Sequence, residues 1–108
     1  MLQVVQCASV WGKLLAIKSW RHRGLQRFYE AGDCRGIIPE HELRLAVRLD
    51  ALASAVVPED MNVLPGWRFH SWGGRGAGIF SINVSGNWRL TFKFCDGNAF
   101  EVNYEDPH

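Results

Sequence analysis

Toward the C-terminal end of this 108-residue chain stand five side chains whose types suit one chemistry: His70, Arg89, Lys93, Asp106 and His108. Two histidines and an arginine fit cleavage of a phosphodiester by RNA's own 2′-hydroxyl. One group takes the 2′ proton, another protonates the departing 5′ oxygen, and a fixed cation holds the charge that grows on phosphorus. Histidine serves because its pKa lies near working pH. The scheme calls for no metal. His70, Asp106 and His108 are zinc-type ligands, yet their spacing is unlike that of zinc sites. Each residue also has an ordinary reading: strand histidines are commonly surface residues, Arg and Lys populate the solvated side of any amphipathic strand, and chain ends fray. His22 and His41 lie in helical surroundings and take no role. The run Gly73-Gly74-Arg75-Gly76-Ala77-Gly78 is a flexible turn rather than a phosphate-binding loop, since no Gly-Lys-Ser/Thr follows it. These residues alone define an RNA-binding or RNA-cutting candidate.

Such side chains need a sheet to hold them, and the period-two pattern beyond Trp67 predicts one. Phe80, Ile82 and Val84 fall on one face of a strand, with Ser81 and Asn83 opposite. After a Ser85-Gly86 turn, Trp88, Leu90, Phe92 and Phe94 share one face, and Arg89, Thr91 and Lys93 share the other. Asp96-Gly97 is the strongest hairpin signal. Beyond it, Phe100, Val102 and Tyr104 alternate with Glu101 and Asn103. His70 falls on the first strand of this antiparallel meander, which offers a greasy face to helices and leaves a polar face open. Upstream, Leu14 to Trp20 reads as a short strand. His22 to Glu30 predicts a helix carrying Leu25 and Phe28, with Gly32 at its stop. A second helix opens at Pro39, with Glu40 and Glu42 at its positive end. It aligns Leu45, Leu49, Leu52 and Val56 before Pro58 ends it. Helices first and strands after make a two-layer α+β domain.

An apolar share of 47% is enough to bury a core within one domain's length. The net charge of +1 is unevenly spread. From Lys18 to Arg48 seven basic residues stand against four acidic ones, whereas the charged residues after Phe94 are all acids: Asp96, Glu101, Glu105 and Asp106. A basic front and an acidic end steer a polyanion toward one face. Cys7, Cys34 and Cys95 are odd in number and far apart, which predicts reduced thiols in a cytoplasmic protein. Met1 to Ala16 is apolar but lacks a basic leader, contains Lys13 and is too short to span a bilayer. Residues 1–16 read as an extension ahead of a domain at 17–108.

The strings Ile17-Lys18-Ser19-Trp20-Arg21-His22-Arg23-Gly24-Leu25-Gln26-Arg27-Phe28-Tyr29-Glu30 and Gly36-Ile37-Ile38-Pro39 resemble the opening of HigB-type toxins of the RelE superfamily. So do Pro58-Glu59-Asp60-Met61-Asn62 and Pro65-Gly66-Trp67-Arg68-Phe69-His70. The most specific matches are Ser85-Gly86-Asn87-Trp88-Arg89-Leu90-Thr91-Phe92 and the tail Tyr104-Glu105-Asp106-Pro107-His108. The resemblance implies a RelE-like α+β fold, with two N-terminal helices packed on one face of a mainly antiparallel four- to five-stranded sheet. It implies a toxin that cuts mRNA on the ribosome, halting translation and growth without a cofactor or metal. The implied partners are a helix-turn-helix, HigA-like antitoxin and ribosome-bound mRNA, with operator DNA reached only through the antitoxin and no membrane. By position, His70 matches a catalytic histidine, Arg89 the arginine on the scissile phosphate, and Asp106 and His108 the catalytic tail. Arg68, Arg75 and Lys93 are the cations expected to contact RNA.

Two positions depart from the family pattern. The tail Asp-Tyr-His reads Asp106-Pro107-His108 here, and a lysine that follows the strand histidine in relatives is absent from Gly73-Gly74-Arg75. A lost stacking ring and a lost phosphate contact are each worth about 1–3 kcal/mol. The alternative is therefore a catalytically weakened member, acting mainly as an antitoxin-binding protein in operon autoregulation.

Overall fold

The structure, a computed structural model, describes residues 16–74 and 77–106. Helix α1 (Arg23–Ala31) and helix α2 (Glu42–Ser54) precede strands β1 (His70–Ser71), β2 (Ile79–Ser85), β3 (Trp88–Cys95) and β4 (Asn98–Glu105). Short 3-10 turns at Pro39–His41, Pro58–Met61 and Pro65–Trp67 join them. Helix α1 starts where His22 Nδ1 accepts the Leu25 N–H at 2.9 Å, satisfying one of the first turn's orphan donors. It stops at Gly32, whose φ of 72° is the left-handed conformation a glycine adopts without cost.

The second helix begins with the Pro39–His41 turn and runs as α-helix from Glu42. It ends at Ser54, earlier than the apolar spacing predicts, and Val56 is 57% exposed instead of completing the leucine stripe. The cause is local. Asp60 Oδ2 accepts the N–H groups of Val56 (2.8 Å) and Val57 (3.2 Å), so the backbone has a partner outside the helix. Leu25, Leu45, Leu49 and Leu52 share one core with Ile82, Leu90, Phe92 and Val102 of the sheet.

The four strands lie in sequence order, each antiparallel to the next. Two cross-strand rows matter for the site. One runs His70, Ser81, Thr91, Asn103; the next runs Asn83, Arg89, Glu105. Paired residues project to the same side of a sheet, so both rows occupy the face away from Ile82 and Leu90. Asp96 and Gly97, at φ 52° and 79°, close the predicted two-residue hairpin.

Strand β4 departs from the expected alternation. The β3–β4 register shifts by one residue between Thr91 and Lys93, and Glu101 takes φ 52° at the irregularity. This bulge inserts an extra residue and reverses the pattern on its far side. Ala99, fully buried, therefore joins Val102 and Tyr104 in the core, while Phe100 stands opposite Lys93 on the other face. The bulge also limits the strand predicted near Trp20. Leu14 and Leu15 of that strand lie outside the described residues, and residues 16–20 run along β4 through the isolated parallel bridges Ile17–Ala99 and Trp20–Val102. Between those bridges the Glu101 N–H turns to Ser19 Oγ at 2.8 Å.

Candidate active site

Arg68, His70 and Arg89 line one concave pocket of about 350 Å³ on the polar face of the sheet. Three elements deliver them: the turn before β1, β1 itself and β3. Arg68 follows the Pro65–Trp67 turn at φ 50°, a left-handed conformation that costs a non-glycine residue about 1 kcal/mol. The rim is the β2–β3 turn, where Asn83 Nδ2 donates to the Gly86 carbonyl at 2.8 Å.

Trp72, to which no motif assigned a role, holds the site together. The His70 ring meets the indole edge-to-face with centroids 4.3 Å apart. The Arg89 guanidinium lies over the indole, its Cζ 4.7 Å from the ring centroid. The indole Nε1–H donates to Ser81 Oγ at 3.0 Å, which fixes the ring across the sheet. This corrects the expectation of an open polar face: Ser81 is only 3% exposed because the indole roofs it. The one available signal was spacing, since Trp72 lies two residues from His70 and so shares its side of the strand.

Arg89 sits mid-sheet between Asn83 and Glu105. Its Nε is buried and, among the described residues, has no hydrogen-bond partner. A buried cationic donor without an acceptor is costly. Arg89 lines the pocket, where its guanidinium can meet a phosphate oxygen while the indole keeps the guanidinium plane fixed.

The remaining sequence-predicted residues fall elsewhere. Lys93 lines a separate cavity of about 70 Å³ with Arg21 and Thr91, and its Nζ pairs with Glu101 at 3.5 Å. Asp106 is half-buried directly after β4, one residue beyond Glu105 in the Arg89 row. Arg75 and His108, with Pro107, lie outside the described residues. Among the described residues no group of three His, Cys, Asp or Glu could hold a metal ion, and no helix is long and apolar enough to cross a membrane.

The two helix histidines serve the tail. His41 Nδ1 and the Tyr104 hydroxyl share a buried hydrogen bond of 2.6 Å, and the His22 ring stands edge-on to the same phenol at 5.3 Å. Burial lowers the pKa of both imidazoles and raises that of Tyr104, so all three groups stay neutral at pH 7. Tyr104 is thereby pinned two residues before Asp106, which sets where the tail leaves the sheet.

An α+β domain that lines one pocket with a histidine and two arginines is built to hold an anion beside a proton-transfer group. Over residues 18–108 the chain matches the family described as the RelE-like toxin of the type II toxin-antitoxin system HigB. It is 37% identical over 92 residues to the Endoribonuclease HigB of Proteus vulgaris, a match covering 85% of this chain and 99% of that protein. It is 34% identical over 90 residues to the Toxin HigB-1 of Vibrio cholerae serotype O1, covering 82% of this chain and 94% of that one. The chain belongs to the HigB-like toxin family, whose members are paired with an antitoxin.

Proposed function

We propose that this chain is an endoribonuclease toxin that arrests growth by cutting mRNA on the ribosome, without a metal. One observation carries the reading: His70 and Arg89 are both held by Trp72 in a single pocket. Arg89 binds a non-bridging oxygen of the scissile phosphate and stabilises the charge that grows on it. The 2′ oxygen attacks phosphorus and the bond to the 5′ oxygen breaks, leaving a 2′,3′-cyclic phosphate and a 5′-hydroxyl. His70 takes part in one of the two proton transfers this requires, and Asp106 and His108 serve the other. Arg68 and Arg75 contact the RNA around the break, whereas Lys93, paired with Glu101 in a separate cavity, meets the strand only away from it.

The functional domain spans residues 17–108, with 1–16 outside it, and acts in the cytoplasm. Both helices cover the face of the sheet opposite the pocket, consistent with the core their leucines share with Ile82 and Leu90. The antitoxin is a HigA-like helix-turn-helix protein, and it alone reaches operator DNA.

Expression of the chain without an antitoxin should stop growth. His70→Ala should relieve the arrest by lowering cleavage about 10²–10⁴-fold, the usual worth of a general acid or base. Antitoxin binding and fold should persist, because His70 is exposed and outside the core. Growth arrest by His70→Ala at the wild-type expression level would remove His70 from the mechanism.

A further inference from the structure

A second cationic cavity adjoins the pocket just described. It measures about 400 Å³, and Arg44, Arg48 and Trp67 lie in its wall. It shares Asn83 and Gly86 with the first pocket, so the two cavities meet across the β2–β3 turn. Helix α2 places Arg44 and Arg48 one turn apart on the same side, a like-charge pair that costs a helix a few tenths of a kcal/mol.

Arg48 is 9% exposed and held by the protein through two of its nitrogens. Its Nε donates to the Asn83 carbonyl at 2.8 Å, its Nη1 to the Arg44 carbonyl at 3.1 Å, and its guanidinium lies 4.7 Å from the Trp67 ring centroid. Burial and the charge of Arg44 both disfavour its cationic form. Arg44 itself is exposed, and it reaches the protein only through a long 3.5 Å contact to the Val84 carbonyl. The carboxylates of the Arg27–Asp33, Arg35–Asp33 and Lys93–Glu101 pairs do not partner these arginines. Two adjacent cations, one of them buried, thus meet carbonyl oxygens and an aromatic ring beside a cavity they line together.

We propose that this cavity binds a second backbone phosphate of the same RNA strand, with Arg44 as its direct ligand and Arg48 as the fixed charge behind it. The strand leaves the pocket of His70 and Arg89 by crossing Asn83 and Gly86. The proposal rests on the RNA-cutting reading but adds a binding subsite to it. Contact is to phosphate alone, so it adds affinity without sequence preference.

The test uses the full chain carrying His70→Ala, so that RNA survives the measurement. Binding of a fluorescent single-stranded 12-nucleotide RNA and of a trinucleotide is followed by anisotropy across a salt series, with and without Arg44→Ala. Arg44→Ala should reduce the slope of log K against log salt by about 0.7 for the longer RNA, a loss of about fivefold in affinity at 0.1 M salt. The trinucleotide, long enough for one pocket only, should bind equally well to both proteins, and Arg44→Lys should restore most of the slope. An unchanged slope overturns the subsite, as does an equal loss for both RNA lengths. So does a loss confined to antitoxin binding, which would assign the surface to a protein partner. Cutting by a His70→Ala single variant would instead overturn the catalytic reading, whatever the slope does.

Discussion

Trp72 makes three different contacts, and substitutions can separate them. The stack under Arg89 and the edge contact to His70 need only an aromatic ring, whereas the bond to Ser81 needs the indole N–H. Trp72→Phe should therefore keep cleavage within about tenfold of wild type, since it loses one hydrogen bond of about 1 kcal/mol. Trp72→Ala frees both functional side chains and should cost about a hundredfold, the usual result of misplacing catalytic groups by an ångström. Single-turnover cleavage at saturating RNA checks this, because the loss should fall on the chemical step more than on binding. Equal rates for wild type and Trp72→Ala would show that the indole positions nothing. His70 and Arg89 were legible from residue type and motif. Trp72 was not, because a tryptophan beside a strand ordinarily reads as core, and only its packing over Ser81 reveals otherwise.

At the scale of elements, short-range signals were reliable where backbone sterics act alone. Asp96-Gly97 and Gly32 adopt the positive φ values their positions demand. The alternation of β2 and β3 survived folding from Ile79 to Asn83 and from Arg89 to Lys93, where the two strands pair in constant register. In β4 it failed at Glu101, where one inserted residue moved Ala99 inward and Phe100 outward. Nothing in residue type marks that insertion; it is decided by how β4 must fit both β3 and residues 16–20. A second non-local demand is the crossing of Gly24 and Gly36. A Cβ built at Gly24 would lie 2.8 Å from Gly36 Cα and 2.9 Å from its carbonyl oxygen. Backbone cannot yield as a side chain does, so Gly24→Ala should destabilise the fold by about 1–3 kcal/mol. In a thermal melt that is a fall of roughly 4–8 °C per kcal/mol. A melting temperature within a degree of wild type would mean the crossing relaxes freely.

For the whole molecule, the neutral cluster of His22, His41 and Tyr104 couples stability to pH. Both imidazoles have folded-state pKa values below the ordinary 6.5, so the unfolded chain binds protons first as pH falls. Their contribution is complete above about pH 6.5 and is lost as pH drops through that value toward the lowered ones. A separate loss belongs to lower pH, where Asp33, held at about 2 by its bonds to Arg35, regains its proton. Melting temperature should therefore fall between pH 7 and pH 5, and His41→Gln should flatten that dependence whatever its effect at pH 7. A flat profile for the wild type across this range would contradict the assignment. Because Tyr104 anchors the segment leading to Asp106, activity should decline over the same interval. The basic side of the molecule is also more specific than net charge suggests. Arg44, Arg48, Arg68 and Arg89 line two cavities that share the β2–β3 turn.

The order of residues by itself determined the α+β class, the two helices, the hairpin turns and the family. Each follows from interactions within a few positions of one another, or from motifs read directly. It also determined His70, Arg89 and Asp106 as candidates, because chemistry is a property of side-chain type. Only the tertiary structure decided that Trp72 binds His70 to Arg89, that Arg48 is buried, and that Lys93 spends its charge on Glu101. Those outcomes depend on which distant segments compete for the same space and the same hydrogen bonds, which local spacing does not encode.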